Sequence, residues 1–172
     1  MANVIFENKD RVIFQLNDTE CFVKEKEPAA VAVLALHHGH ILIVEQERTP
    51  VSDTTYELPG GGVEQGESIR LAAVRELQEE TGYTTTTLYK LGMVYRCAYM
   101  TNEECHLYFA PDTTFLATKV DCDIKNVHLI SLEDACTAVC TGEWKNSEIG
   151  HAMFLAMQKG YLPLIEMRDE KS

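Results

Sequence analysis

The sequence predicts an α+β fold, a mixed sandwich of strands and helices behind a short antiparallel β-ribbon. Three observations lead there. Several short segments near the N-terminus alternate like strands and are separated by polar turns. Helical periodicity appears in separate stretches further along. Strands and helices then follow one another with no regular βαβ repeat, which argues against a doubly wound parallel sheet.

The elements can be justified in order. Residues 4–6, 11–16 and 20–24 read as strands, with turns at ENKD and LNDTE. The charged break at 25–28 divides this ribbon, residues 1–28, from a main body at 29–172. AAVAVLAL (29–36), HHGH and ILIVE (41–45) make a hairpin of buried strands around a glycine-containing turn. ERTPVSDTT reads as a loop, and YEL as a short strand before Pro59. Gly60, Gly61 and Gly62 forbid regular structure and let the backbone come close to something. Residues 68–81 form a helix with Ile69, Ala73 and Leu77 facing the core and Gly82 as its stop. Strands follow at 88–95, 105–110 and 127–130. Ser131 caps a helix to about Cys140, with Asp134 placed for a capping box. A last helix spans 147–159, ends at Gly160 and points Ala152, Phe154, Leu155 and Ala156 at the core.

Composition narrows the function. The chain has 172 residues, 45% hydrophobic and 24% charged, enough for one domain with a full core. A net charge of −12 disfavours a non-specific hold on nucleic acid, which needs clustered Lys and Arg. A small anionic substrate remains compatible with that charge if metal ions sit between it and the protein. No apolar run approaches the length of a membrane span, so no membrane partner is expected. MANVIFENKDR carries charge too early for a secretory signal, and a cytoplasmic location is expected. The six cysteines form no C-x-x-C pair and read as reduced thiols packed in the core. His37, His38 and His40 read as polar residues of a hairpin turn rather than metal ligands.

The helix at 68–81 poses the sharper question. Glu76, Glu79 and Glu80 fall within roughly 100° of arc, beside the core stripe. Like charges at this spacing cost a few tenths of a kcal/mol each, and burial would raise that cost. A solvated acidic face is one reading. A hard divalent cation is the other, since Mg²⁺ or Mn²⁺ prefers carboxylate oxygen.

The surrounding residues favour the cation. GGVEQGESIRLAAVRELQEETGY runs from Gly61 through five residues to Glu67, through seven more to Arg75, then Glu76, Leu77, Glu79, Glu80, Gly82 and Tyr83. These residues fill every specified position of the Nudix box, and the chain resembles the Nudix hydrolases. Tyr83 stands where that family usually has an aliphatic residue. The resemblance implies an α/β/α sandwich with a mixed β-sheet. It also implies attack by a metal-activated water on a nucleoside diphosphate linked to a second group X. Mg²⁺ is the implied cofactor, with Mn²⁺ as the alternative. Glu76 and Glu80 are implied as main ligands, with Glu79 bound or acting on the water. Glu67 and Arg75 are implied to hold the arrangement, and the carbonyl of Gly60 to complete the coordination.

The flanking segments resemble the ADP-ribose and nucleotide-sugar pyrophosphatases of that family. The carriers are the N-terminal ribbon, the EQER…YELPGG segment (45–61) and NEECHLYFA (102–110). On that resemblance Arg48 contacts phosphate, Glu57 the nucleoside side, Glu104 the substrate, and the ribbon is exchanged in a homodimer. The catalytic loop TFLATKVDCDIKNVHLISL lacks the glutamate that this branch usually supplies as base. Asp121, Asp123, Glu103, Glu104 or a box glutamate is left to serve. Dinucleoside polyphosphates or modified nucleoside triphosphates are the alternative substrates. A non-catalytic ADP-ribose sensor is the alternative of another class, disfavoured by the intact box.

Overall fold

The computed structural model describes residues 2–116 and 121–165. The N-terminal strands β1 (Asn3–Glu7), β2 (Arg11–Gln15) and β3 (Cys21–Glu25) form a separate antiparallel sheet in that order. Its turns are tied by asparagine, as the polar sequence requires. Asn8 Oδ1 accepts from the N–H groups of Asp10 and Arg11, and Asn17 Oδ1 from those of Thr19 and Glu20. This sheet docks on the segment at 100–102: Val23 N–H donates to the Met100 carbonyl at 2.8 Å and Glu25 N–H to Asn102 Oδ1 at 2.7 Å.

The main sheet contains β4 (Ala29–His37), β5 (His40–Arg48), β6 (Asp53–Glu57), β8 (Tyr89–Tyr95), β9 (Glu104–Ala110) and β11 (Ile124–Ile130). Its order is β11-β5-β4-β9-β8, with β6 also on β5. β4 and β9 pair in parallel and the other pairs of this sheet are antiparallel, so the sheet is mixed, as expected. A second small sheet joins β7 (Tyr83–Thr84) to β10 (Thr114–Phe115).

Helices cover both faces. Ala72, Ala73 and Leu77 of α1 (Ile69–Thr81) pack with Val31, Val33 and Ala35 of β4. Ala135 and Cys136 of α2 (Leu132–Cys140), with Ile149, Ala152, Met153 and Ala156 of α3 (Ser147–Gln158), pack with Ala32 and Leu34 on the other face. Because β4 is buried on both sides, its sequence is a continuous apolar run rather than an alternation. Gly82 closes α1 at φ 77° as read, while Ser68, read as its first residue, is instead its cap, its Oγ accepting from Leu71 N–H. At α2, Ser131 Oγ accepts the Asp134 N–H and donates to the Asp134 carboxylate.

Some sequence expectations need correction. The expected loop 47–55 shrinks to the 3₁₀ turn Thr49–Val51 and Ser52, because β5 runs to Arg48 and β6 begins at Asp53, earlier than YEL suggested. Thr54, Thr55 and Tyr56 are all half-buried there, without the alternation that would have marked the strand. Phe154 is exposed and Leu155 half-buried; the i, i+3, i+4, i+7 stripe of Ile149, Ala152, Met153 and Ala156 takes the core instead. Of the six free cysteines only Cys105 and Cys136 are buried.

Candidate active site

The site begins where two strands part. β4 and β5 pair only near their turn, at Leu36–Ile41 and His37–His40. Beyond that, β5 takes β6 as its neighbour, and the segment 59–63 lies along the start of β4. Val33 N–H donates to the Pro59 carbonyl, Val31 N–H to that of Gly61 and Val63 N–H to that of Ala29, at 2.8–2.9 Å. The close approach explains two of the glycines. A Cβ on Gly60 would sit 2.1 Å from the Val31 carbonyl oxygen, and one on Gly61 would sit 2.6 Å from the Glu76 carboxylate.

α1 lays its acids against this segment. Glu76 and Glu80 are buried at 9% and 7% exposure, while Glu79 is exposed. Arg75 spans the group. Its Nε and Nη2 donate to Glu67, both at 3.0 Å; its Nη1 donates to Glu76 at 2.7 Å and Glu79 at 2.9 Å; and its Nη2 donates to the Gly62 carbonyl. This density of acceptors, Glu67 foremost, holds the guanidinium charged beyond its usual range. The Arg75 bonds hold the Glu67 carboxyl below the usual carboxylate range.

Glu80 has no such cation. Its Oε2 accepts the Gly60 N–H at 2.8 Å and its Oε1 accepts Gln46 Nε2 at 3.3 Å, both neutral donors. Burial pushes its carboxyl up to about 8, with the charges of Glu76 and Asp123 adding to the shift. Burial also raises Glu76, against the pull of Arg75. Gly60 thus meets Glu80 through its N–H. Among the described residues its carbonyl accepts no hydrogen bond, whereas those of Pro59, Gly61 and Gly62 do.

Among the described residues, no three Asp, Glu, His or Cys side chains converge as a ready ligand cage. Arg75 Nη1 already occupies one oxygen of Glu76 and one of Glu79, and holds both carboxylates on a single nitrogen. The residues still fit a hard divalent cation. Two buried carboxylates carry an unfavourable charge, and every donor at hand is oxygen.

The remaining expected residues fall into three groups. Asp121 and Asp123 lie at the C-terminal end of α1: Asp121 N–H donates to the Glu79 carbonyl at 3.0 Å, and the two carboxylates act on Glu76 and Glu80 respectively. The preceding part of the expected catalytic loop, 117–120, lies outside the described residues. Arg48 and Glu57 are held to each other, with Arg48 close enough to Glu80 to lower its pKa. Glu103 is engaged by Arg96 at 2.9 Å. Glu104 stands 3.8 Å from His106 at the start of β9 and makes no hydrogen bond to a box side chain.

Two residues escaped the sequence reading. Gln46 sits inside EQER, between the strand alternation and Arg48, and only the paired structure shows its amide on Glu80. Arg96 follows β8 with no motif around it, yet it ties Glu148 on α3 to Glu103 and to Cys105 Sγ.

The model of the NUDIX domain matches residues 25–151. ADP-ribose pyrophosphatase of Bacillus subtilis (strain 168) is 36% identical over 132 residues, which cover 74% of this chain and 71% of that protein. ADP-sugar pyrophosphatase of Mus musculus is 45% identical over 65 residues, covering 35% of this chain and 30% of that protein. A solved ADP compounds hydrolase shares the fold at a TM-score of 0.77 and 15% identity, covering 95% of both chains. The chain belongs to the Nudix hydrolase family. It is an enzyme of the pyrophosphohydrolase class, and such enzymes generally use divalent metal ions. Among the described residues no helix is long and apolar enough to cross a membrane.

Proposed function

We propose that the protein hydrolyses ADP-ribose or a related nucleotide sugar, giving a nucleoside monophosphate and a phosphorylated sugar. The observation that carries this reading is the burial of Glu76 and Glu80 beside the Gly60 carbonyl, which accepts no hydrogen bond among the described residues. It is supported by similarity, over most of the chain, to a protein that acts on ADP-ribose.

Glu76, Glu80, Glu79 and the Gly60 carbonyl would hold Mg²⁺, or Mn²⁺ in its place. Bound there, the cation supplies charge neutralisation for the diphosphate and a lowered pKa for a water. Arg75 holds Glu76 and Glu79 in position and is itself held by Glu67. Asp121 or Asp123, both exposed, takes the proton of the attacking water as its oxygen bonds to phosphorus and the anhydride bond breaks. Arg48 contacts a phosphate oxygen, and Glu104 contacts the substrate. The protein works as a homodimer divided at residue 28. The exposed Val4, Ile5 and Phe6 on the N-terminal sheet support that reading, because a second copy would cover them. Its location is cytoplasmic.

The test is incubation with ADP-ribose and Mg²⁺, chromatography for AMP, and Glu80→Gln as control. AMP from the wild type alone is expected. Absence of turnover for every nucleoside diphosphate sugar, at any Mg²⁺ or Mn²⁺ concentration, would overturn the proposal. A nucleoside triphosphate cleaved to monophosphate and pyrophosphate would redirect it.

A further inference from the structure

We infer that Glu57 is a positioning residue. It holds one edge of the Arg48 guanidinium so that the other edge stays available to an anionic oxygen of the substrate. This rests on the reading of Arg48 as a phosphate contact, and it gives Glu57 a role other than touching the nucleoside.

Strand register is the first argument. In the β5–β6 pair, Val44 lies opposite Glu57, Gln46 opposite Thr55 and Arg48 opposite Asp53. Positions 46, 48, 55 and 57 therefore share one face of the sheet, the face on which Gln46 meets Glu80. Arg48 sits at the outer end of this face and Glu57 at the inner end. To reach Glu57, Arg48 must lie back along the strand, toward the box and away from solvent. Released, so long a side chain at a hairpin end would spread over many rotamers.

Hydrogen-bond occupancy is the second. Glu57 Oε1 accepts from Arg48 Nε at 2.7 Å and Thr55 Oγ1 at 2.6 Å, and its Oε2 accepts from Arg48 Nη2 at 2.6 Å. The Glu57 side chain is 14% exposed against 44% for Arg48. Glu57 is thus sheltered and already bonded, a poor partner for a sugar hydroxyl. Among the described residues, Arg48 Nη1 has no partner.

The neighbouring cations are already engaged by acids. The cavity of about 380 Å³ beside the pair is lined by Arg48, Glu57, Arg96, Lys145 and Glu148, among others. Arg96 uses Nε, Nη1 and Nη2 on Glu148, Glu103 and Cys105, and Lys145 holds Asp53 at 2.8 Å. Among the described residues, Arg48 is the guanidinium there with a nitrogen to spare.

The experiment compares wild type, Arg48→Gln, Glu57→Gln and the double variant. The readouts are calorimetric binding of α,β-methylene-ADP with Mg²⁺, and KM against kcat for hydrolysis. Each single variant is expected to weaken binding and raise KM about tenfold, the worth of one charge-assisted hydrogen bond, with kcat nearly unchanged. The double variant is expected to lose no more than Arg48→Gln alone. Thr55→Val, which frees Glu57 without changing charge, gives a gentler second test with a loss of about two- to threefold. If Arg48→Gln weakens binding and neither Glu57→Gln nor Thr55→Val does, the inference falls and the reading of Arg48 stands. Additive losses would make Glu57 an independent ligand contact and also overturn it. If Arg48→Gln binds like wild type, the reading of Arg48 fails first.

Discussion

α1 and α3 each bury a glutamate to nearly the same depth, and the two are held in opposite ways. Glu148 is 8% exposed at the start of α3, and both of its oxygens accept from Arg96. Glu80 is 7% exposed in the last turn of α1 and has only a backbone N–H and an amide. Burial alone therefore does not separate a structural acid from a functional one; the sign of the partner does. A buried carboxylate with a matched guanidinium is a closed unit. One given neutral donors and more acids for neighbours is left demanding a cation, and such sites concentrate at functional centres.

Removing the demand is expected to have the largest effect. Glu80→Gln should lower kcat by about 10³-fold, the scale of losing a preorganised charge at a reacting phosphate. It should leave the metal-free protein at least as heat-stable as wild type, because it replaces a buried carboxyl whose charged form is disfavoured by burial with a neutral amide. A thermal melt and a kcat measurement check both parts. A clear loss of Tm with kcat retained would place Glu80 with Glu148 as a structural acid.

The reverse pattern is expected on the other face. Arg96→Met strands Glu148 with no cation and should cost about 3 kcal/mol, low in the range for broken buried pairs because Arg96 is partly exposed. Adding Glu148→Leu should recover part of the loss by removing the orphaned charge. Denaturant titration of the single and double variants measures it; a double variant worse than the single would show that the pair acts through more than charge.

The sequence made one of these acids legible and not the other. Glu80 was visible because the other box residues of its helix, Arg75, Glu76 and Glu79, stand at fixed spacing from it, so the chemistry was written locally. Tight constraints on Gly60 and Gly61 were foreseen in kind, though the objects they approach, the Val31 carbonyl and the Glu76 carboxylate, come from elsewhere in the chain. Glu148 and Arg96 stand 52 residues apart and meet only after β8 and α3 pack together. Gln46 was hidden for a related reason: strand alternation puts it on the α1 face but does not say that the end of α1 lies over it. The parting of β4 and β5 was also unreadable, since two adjacent apolar runs with a turn look like a full hairpin. What survived from sequence was helical spacing, capping and the two-faced burial of β4. What did not were the contacts between elements far apart in the chain.

The smallest expected effect concerns a third acid, midway between the other two. Glu57 is half-buried, and burial works to raise its carboxyl. The hydrogen bonds from Arg48 and Thr55 outweigh burial and leave it below the ordinary value. A carboxylate that is more acidic in the folded state binds fewer protons there than in the unfolded chain. It stabilises the fold above its unfolded pKa, and that contribution is lost as pH falls through the folded value. The acid limb of a stability–pH curve should therefore be shallower in Glu57→Gln than in wild type, with the two curves running parallel at neutral pH and above. Urea midpoints taken at intervals from neutral pH downward give the comparison. Curves that stay parallel into the acid range would mean that the Arg48 bond is no stronger than the solvation it replaces. Glu57 would then stand with the exposed surface pairs rather than with Glu148.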